Sequence, residues 1–353
     1  MTPFEFVGLT EKDFEAISSL ITGMSVSPGL RLRDKSPAYY RWMYLANPAG
    51  KAVVYSARLG GKTAASFAVA PKRFLIDGEE VLIGKTMDMF TDPHFQGRGL
   101  IKGCTERVFE AAAAAGMIGW YVTPSVNSYP IFAGRWGYSE HLRVVYRAKI
   151  LEYGPVLSAA MRPSGLARLV GSVGDRLVGW FRRRFKPPTG DVVTAIDRFD
   201  AAADSLWAAV APGYRVAQVR DARYLNWRYV DNPDEYASFG VERDGELIGI
   251  VVLTGTIRRG VPVAEVVDYL CRVDDDELFA TLISIGVGWA RENGMAMIEA
   301  WSVYGTAQDR RIRRSGLRTR RADVKFLMSP GFPLSTVDDP EAWLLTQGDG
   351  NDV

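Results

Sequence analysis

The residues best suited to chemistry form a glycine turn at residues 91–101, Thr-Asp-Pro-His-Phe-Gln-Gly-Arg-Gly-Leu-Ile. The turn follows an apolar run at residues 86–90 and opens an Ala-rich segment, an order that predicts strand, turn and helix. Backbone N–H groups and the dipole at a helix N-terminus bind anions. Gly97 and Gly99 let a bulky group approach the backbone, and Arg98 adds a charge. The turn therefore predicts a site for a diphosphate-bearing cofactor.

Two other phosphate-binding motifs do not fit this turn. A P-loop has Lys followed by Ser or Thr after its last glycine, whereas this chain has Leu100 and Ile101 there. A dinucleotide fingerprint needs a third glycine or alanine and an acidic residue about 20 positions further on, and neither is present. The remaining alternative is an ordinary strand–helix turn that contains two glycines.

The turn resembles a motif of a known family. Gln96-Gly97-Arg98-Gly99-Leu100-Ile101, with Pro93 before it, resembles the coenzyme A loop of the GNAT (GCN5-related N-acetyltransferase) superfamily, which reads Gln/Arg-x-x-Gly-x-Gly/Ala. Ile101 departs from that pattern, because the family has a small residue there. A second motif, Asn127-Ser128-Tyr129-Pro130 followed by Gly137-Tyr138, resembles the end of the same region in one branch of the superfamily.

The resemblance implies a mixed, splayed sheet that holds acetyl-coenzyme A, or another acyl-coenzyme A, as co-substrate without a metal. In that fold the turn amides hold the diphosphate, and a bulge in the fourth strand offers backbone groups to the pantetheine arm and the thioester oxygen. Asn127 would direct its amide at the arm, and Phe132 would pack beside it. The implied binding residues are Met89, Phe90, Thr91, Gln96, Gly97, Arg98, Gly99, Leu100, Ile101, Asn127 and Phe132.

Acyl transfer to an amine also needs a base, and the leaving thiolate can take a proton from an acid. Asp88 is a lone acid among apolar neighbours in the predicted central strand, which makes it the candidate base. The alternative is a structural carboxylate, which Asp268 at the matching place in the second half of the chain favours. In the family a Tyr acts as the general acid, but its position is Ala133 here. Tyr129, the nearest phenol, is therefore the candidate acid in its place.

An internal repeat organises the chain, with an offset of 185 residues in its aromatic block. Residues 39–48 match residues 224–233, and Gly-rich turns predict two hairpins in each half. The fold class is therefore α/β with mixed (α+β) sheets, in two tandem GNAT-like acyl-CoA N-acyltransferase domains. The predicted ranges are 1–150 for a GNAT domain with the acetyl-CoA site, 151–190 for a helical linker, 191–335 for a degenerate GNAT-like domain and 336–353 for a C-terminal tail.

The second copy lacks the phosphate turn. Four consecutive acids, residues 274–277, stand in its place, and acids suit the N-terminus of a helix but repel a diphosphate. We therefore expect this copy to form one wall of the acceptor site or to stabilise the first copy.

The pattern of residues 166–185 predicts a basic interdomain helix, with a membrane-surface or anionic-substrate helix as the alternative. The end of the chain is predicted to be frayed.

Composition is typical of a packed globular protein, at 47% hydrophobic and 24% charged residues. A net charge of +2 is too small to indicate nucleic acid as a partner. Cys104 and Cys271 stand far apart without metal-ligand spacing, which favours a reducing cytoplasm. Neither a signal pattern nor an apolar run long enough for a membrane span is present, and the oligomeric state is left open.

The sequence thus predicts an acyl-CoA-dependent N-acyltransferase whose acceptor is a primary amine of a small molecule, an amino sugar being one candidate. The alternative is a catalytically silent coenzyme A-binding sensor or scaffold. A third interpretation takes aminoacyl-tRNA as the donor, but the relatives of that type lack an intact coenzyme A turn.

Overall fold

The computed structural model describes residues 4–24, 35–160, 190–332 and 335–350. Two compact units divide the chain. Unit 1 comprises Met1–Glu140, Asp231–Asp234 and Phe326–Ser335, and unit 2 comprises His141–Val230, Glu235–Lys325 and Thr336–Val353. The predicted basic helix at 166–185 lies outside the described residues. The predicted domain ranges follow the sequence repeat rather than strand pairing, and they stay a prediction.

Unit 1 contains a mixed sheet in the order β1-β2-β3-β4-β5-β14. Its strands are β1 (Glu5–Gly8), β2 (Val53–Leu59), β3 (Lys62–Ile76), β4 (Glu79–Thr91), β5 (Met117–Val122) and β14 (Leu327–Met328). Only the β4–β5 pair is parallel among these neighbours, and the others run antiparallel. A parallel pair needs a crossover, and the helix between β4 and β5 provides it.

The helices of unit 1 include α1 (Phe14–Met24), α2 (Pro37–Tyr40) and α3 (Leu100–Ala114). The predicted strand–turn–helix–strand order of residues 86–122 is confirmed. α3 packs on the sheet through Leu100, Cys104 and Val108, which are buried with Phe67 of β3 in one hydrophobic core. The predicted hairpin turn after β3 is also confirmed, since Asp77 and Gly78 both have a positive φ that such a turn requires.

Unit 2 repeats the pattern with a sheet in the order β13-β6-β12-β11-β10-β9-β7. The strands of this sheet are β6 (Val144–Ile150), β7 (Asp191–Ala195), β9 (Ala237–Arg243), β10 (Glu246–Arg258), β11 (Val261–Leu270), β12 (Met297–Val303) and β13 (Thr319–Val324). Unit 2 also contains β8 (Val216–Gln218) and β15 (Trp343–Leu344), which pair in parallel. Its helices are α4 (Tyr153–Ala160), α5 (Ala201–Val210), α6 (Ala222–Leu225), α7 (Asp276–Glu292) and α8 (Ala307–Arg314). β11 and β12 are parallel, as β4 and β5 are in unit 1. The mixed α/β prediction is confirmed.

The repeated aromatic block folds alike in both copies. In each copy a short α-helix leads into a π-helical turn, Arg41–Leu45 in unit 1 and Asn226–Val230 in unit 2. Tyr44 and Tyr229 lie at equivalent places in these turns and are both buried. A π-turn is wider than an α-turn, so it changes the direction in which the next side chains point.

The expectation of a frayed C-terminus is wrong for residues 336–350, which are part of unit 2. Trp343 is buried and its indole N–H donates to the carbonyl of Val337 at 3.0 Å. Asp349 is fully buried against Arg220, 3.0 Å away. The segment is ordered because it supplies apolar side chains and a counter-charge to the interior, which its small and acidic composition did not indicate.

Two further observations concern the described residues only. None of their helices combines the length and the apolar character needed to cross a bilayer. They also contain no group of three His, Cys, Asp or Glu side chains arranged to hold a metal ion.

Candidate active site

The predicted phosphate turn connects β4 to α3. Asp92 accepts a hydrogen bond from the amide of His94 at 2.8 Å and caps a short 3-10 turn, Pro93–Phe95. Gly97 and Gly99 then adopt φ values of +76° and +73°, in the left-handed region that side-chain-bearing residues avoid. Gly99 is the N-cap of α3 and brings no side chain to it. The first amides of the helix therefore lack the side-chain cap that most helices use.

The space above this turn is open. A Cβ placed on Gly97 or Gly99 would find no atom of the described residues within 4 Å. Gln96 and Arg98 are exposed, and the Arg98 guanidinium lies 5.5 Å from the ring centre of Phe95. An unfilled glycine cradle beside a helix start and an exposed guanidinium is a donor set that suits a diphosphate.

The last residues of the motif have a different position. Leu100 is buried in the core of unit 1, and Ile101 is partly buried against that core. Only their backbone groups face the turn, so these two side chains fix the start of α3 on the sheet. Ile101 fits this place without a small side chain.

Before the turn, the pairing of β4 with β5 ends. They pair at Leu82–Met117, Gly84–Trp120 and Lys85–Tyr121. One residue later the hydroxyl of Thr86 donates to the carbonyl of Tyr121 at 3.1 Å. β4 then continues to Thr91, beyond the last of these pairs. β4 thus runs on past its last pair with β5, and the splay between the two strands stays a prediction.

β4 carries a bulge shortly after its pairing with β5 ends. Asp88 and Met89 both stand opposite Phe67 of β3, since Met87 pairs with Ala68 and Phe90 with Ser66. Asp88 has a φ of +51°, which Asp tolerates better than most residues. The bulge turns the backbone of Met89 and the residues after it, which sequence reasoning assigned to the pantetheine arm.

Each carboxylate oxygen of Asp88 accepts a hydrogen bond. Its side chain is 3% exposed; Lys35 donates to Oδ1 and the Tyr44 hydroxyl donates to Oδ2. Burial, and after it the negative charge of Asp88, raise the pKa of Tyr44 well above its ordinary value, so Tyr44 remains a donor. Sequence reasoning missed Lys35 and Tyr44, although the 185-residue offset relates them to Arg220 and Tyr229.

The second predicted motif follows β5 along the chain. Asn127 is exposed. The Tyr129 hydroxyl donates to Oε1 of Glu140 at 2.9 Å and precedes a π-helical turn, Pro130–Arg135. Phe132 is buried in the core with ring contacts to Trp136 and Tyr138. The pantetheine contacts of Asn127 and Phe132, and the roles of Asp88 and Tyr129, stay predictions.

The equivalent helix start in unit 2 is closed. Asp275 caps α7 by accepting from the amide of Leu278 at 2.8 Å, and Asp276 accepts from Arg311 at 2.8 Å. Hydrogen bonds from Arg272 lower the pKa of Asp274, so this acid is charged at neutral pH. Carboxylates thus occupy the place that the first copy leaves to an anion.

Solved structures with the same architecture cover nearly the whole chain. The N-myristoyltransferase of Saccharomyces cerevisiae with bound myristoyl-CoA is 12% identical, with a TM-score of 0.64 over 93% of this chain and 83% of that one. A GCN5-related N-acetyltransferase from Anabaena variabilis is 10% identical, with a TM-score of 0.60 over 92% of this chain and 72% of that one. The chain has the GNAT fold in two tandem copies.

Other comparisons set the limits of this likeness. A GCN5-related N-acetyltransferase from Kribbella flavida is 12% identical, and the match covers 92% of this chain and 70% of that one with a TM-score of 0.57. No family model and no curated protein matches the sequence. The GNAT fold is therefore visible in the structure, whereas in the sequence it was visible only through short motifs.

Proposed function

We propose that this chain is an acyl-coenzyme A-dependent N-acyltransferase that moves an acyl group to a primary amine. The observation that carries the proposal is the open glycine turn at Gly97 and Gly99, which follows the part of β4 that runs on beyond its pairing with β5. Unit 2 has the same strands but a turn closed by its own acids, so the fold alone does not require the open turn.

The residues of the first copy would divide the work as follows. The amides of residues 97–102 and the charge of Arg98 would hold the diphosphate. The backbone of Met89, Phe90 and Thr91 would lie along the pantetheine arm, with one N–H directed at the thioester oxygen. A bound acyl-CoA supplies an activated thioester, and Asn127 and Phe132 are the proposed contacts on the far side of its arm.

The transfer forms a C–N bond and breaks the C–S bond, and the proton that the amine loses balances the departing thiolate, which ends as the coenzyme A thiol. A thiolate leaves readily near neutral pH, so the donor Tyr129, which bonds Glu140, is a supporting acid rather than a requirement. Acetyl is the default acyl group. Similarity to an enzyme crystallised with myristoyl-CoA makes a longer chain the other choice to test.

For the acceptor we propose a small-molecule amine such as an amino sugar, in a reducing cytoplasm. The modest net charge supports a small acceptor over nucleic acid. The buried, unpaired Cys104 and Cys271 are consistent with a reducing compartment.

Two measurements test the proposal. Isothermal titration with coenzyme A reports binding, and thiol release from acetyl-CoA and myristoyl-CoA across a panel of amino sugars, polyamines and amino acid amines reports turnover. We expect binding and amine-dependent release with at least one donor. Absence of coenzyme A binding would overturn the proposal, and binding without release for any pair would indicate a sensor or scaffold.

A further inference from the structure

Asp88 occupies a special place in β4. It is one of the two residues that form the bulge opposite Phe67, and it is the one with positive φ. Such a backbone conformation costs free energy for a residue with a side chain and persists only when the surroundings hold it. The next residues, Met89 to Thr91, are the ones proposed to face the acyl donor.

The side chain of Asp88 is held from outside the sheet. Lys35 comes directly before the Ser36 cap of α2, and Tyr44 belongs to the π-helical turn that follows α2. Both donate to the carboxylate, and Lys35 also lies 5.3 Å from the ring centre of Tyr39. One structural element thus fixes both oxygens of the bulge residue.

A base must be within reach of the nucleophile whose proton it takes. Here each oxygen of Asp88 already accepts a hydrogen bond, one of them from an ammonium group. The Asp88 side chain is also only 3% exposed, so few other groups reach its carboxylate. This arrangement suits an anchor better than a proton acceptor.

In unit 2 the acid that accepts these hydrogen bonds and the extra residue of the bulge are two different residues. Arg220 donates to Asp268 at 2.9 Å and Tyr229 donates to it at 2.7 Å, which repeats the cation–carboxylate–tyrosine contact. In that copy, however, the extra residue of the bulge is Val267, and Asp268 pairs with Val252 without a positive φ. Only in the first copy does the anchored acid itself form the bulge.

We propose that Asp88 is a positioning residue: through Lys35 and Tyr44 it fixes the bulge that directs the backbone of Met89–Thr91 at the thioester carbonyl. This inference rests on the proposed function, because it concerns the same acyl donor. It replaces the prediction of Asp88 as a base with a role that acts through the backbone.

The test uses the full chain and acetyl-CoA with an isotopically labelled carbonyl carbon. A hydrogen bond from a backbone N–H lowers the stretching frequency of that carbonyl, which difference infrared spectroscopy measures without any acceptor. Asp88→Asn keeps one acceptor oxygen for Lys35, can donate from its amide group to the Tyr44 hydroxyl oxygen, and tolerates the positive φ. Asp88→Gly also tolerates the positive φ but removes both anchors.

We expect wild type and Asp88→Asn to show the lowered carbonyl frequency and Asp88→Gly to lose it. Asp88→Gly should bind acetyl-CoA about tenfold more weakly, the equilibrium value of one hydrogen bond, and coenzyme A within about threefold of wild type. Asp268→Asn is the matched control in the second copy and should leave the frequency unchanged.

Each other result decides the matter. If Asp88→Gly keeps the lowered frequency, or if Asp88→Asn loses it, the positioning role is wrong. A wild type that binds acetyl-CoA with an unshifted carbonyl also overturns it, while the proposed diphosphate site stands. A wild type that binds neither acetyl-CoA nor coenzyme A overturns the proposed function itself.

Discussion

Tyr44 and Tyr229 lie 185 positions apart and donate the same hydrogen bond, to Asp88 in unit 1 and to Asp268 in unit 2. Both phenols are buried, and each stands in a π-helical turn of the repeated aromatic block. The repeat therefore preserves a buried acceptor with its donor, while the bulge beside the acceptor differs between the copies.

Replacing either tyrosine by phenylalanine removes one donor and keeps the ring. Because a buried carboxylate then loses one of its hydrogen-bond donors, we expect Tyr44→Phe and Tyr229→Phe each to lower the free energy of unfolding by about 1–3 kcal/mol. Urea unfolding followed by tryptophan fluorescence measures this. Only Tyr44→Phe should weaken acetyl-CoA binding, and equal effects of both variants on binding would contradict the distinction between the copies.

Local signals made much of the fold predictable. The hairpin glycines Gly78 and Gly260, and the glycines after the crossover helices, Gly116 and Gly294, all have the positive φ that the sequence pattern requires. The phosphate turn was predictable for the same reason, since Gly97 and Gly99 determine the local backbone.

Contacts between distant residues were not predictable in this way. Lys35 reaches Asp88 across 53 positions, and Arg220 reaches Asp349 across 129. No local sequence pattern predicts that a charged residue is buried, because its burial depends on which oppositely charged partner the fold brings close to it. The offset of the repeat relates Lys35 to Arg220, and this was the one signal that could have indicated the shared contact.

The C-terminal segment is expected to be necessary for the stability of unit 2. Arg220 is fully buried, and its Nη2 donates to Asp349 and to the Thr346 hydroxyl at 2.9 Å. Asp349→Ala leaves a buried guanidinium short of a counter-charge, so we expect a loss of about 2 kcal/mol or more in the free energy of unfolding.

The control for this variant is Asp338→Ala in the same segment. Asp338 is 58% exposed and pairs with His141 at the surface, so its removal should change the free energy of unfolding by about 1 kcal/mol or less. Similar thermal denaturation of wild type and Asp349→Ala would show that the segment only rests on unit 2.

Acid should weaken unit 2 through Asp309. Burial opposes the charge of Asp309, but hydrogen bonds from Arg147, at 2.7 and 2.8 Å, and from Ser302 outweigh it and lower its pKa below the ordinary 3.8. An acid with a lowered folded-state pKa adds stability above its unfolded pKa and loses it as the pH falls through the folded value. Urea midpoints measured below about pH 4 should therefore fall more steeply for wild type than for Asp309→Asn. Parallel acid profiles would contradict this.

The two cysteines should be silent in the folded protein. Burial raises the pKa of Cys104 to about 12 and that of Cys271 to about 11, and both side chains are shielded from solvent. Since the thiolate is the reactive form, Ellman's reagent near neutral pH should titrate neither in the native state and both after denaturation. Rapid native reaction would show that one of them becomes accessible, and it would add a background to thiol-release assays.

The diphosphate turn is open to a direct test through Gly99. Gly99→Ala adds only a Cβ in open space and a strained φ, which costs about 1–2 kcal/mol of stability. Gly99→Glu adds the same strain together with a carboxylate at the helix start, which repels a diphosphate.

The matched control is Gly260→Glu, because Gly260 has a φ of +80° and open space at a hairpin turn of unit 2. In thermal denaturation with added coenzyme A, we expect stabilisation of wild type and Gly260→Glu, a weakened response of Gly99→Ala and no response of Gly99→Glu. A full response of folded Gly99→Glu would place the diphosphate elsewhere.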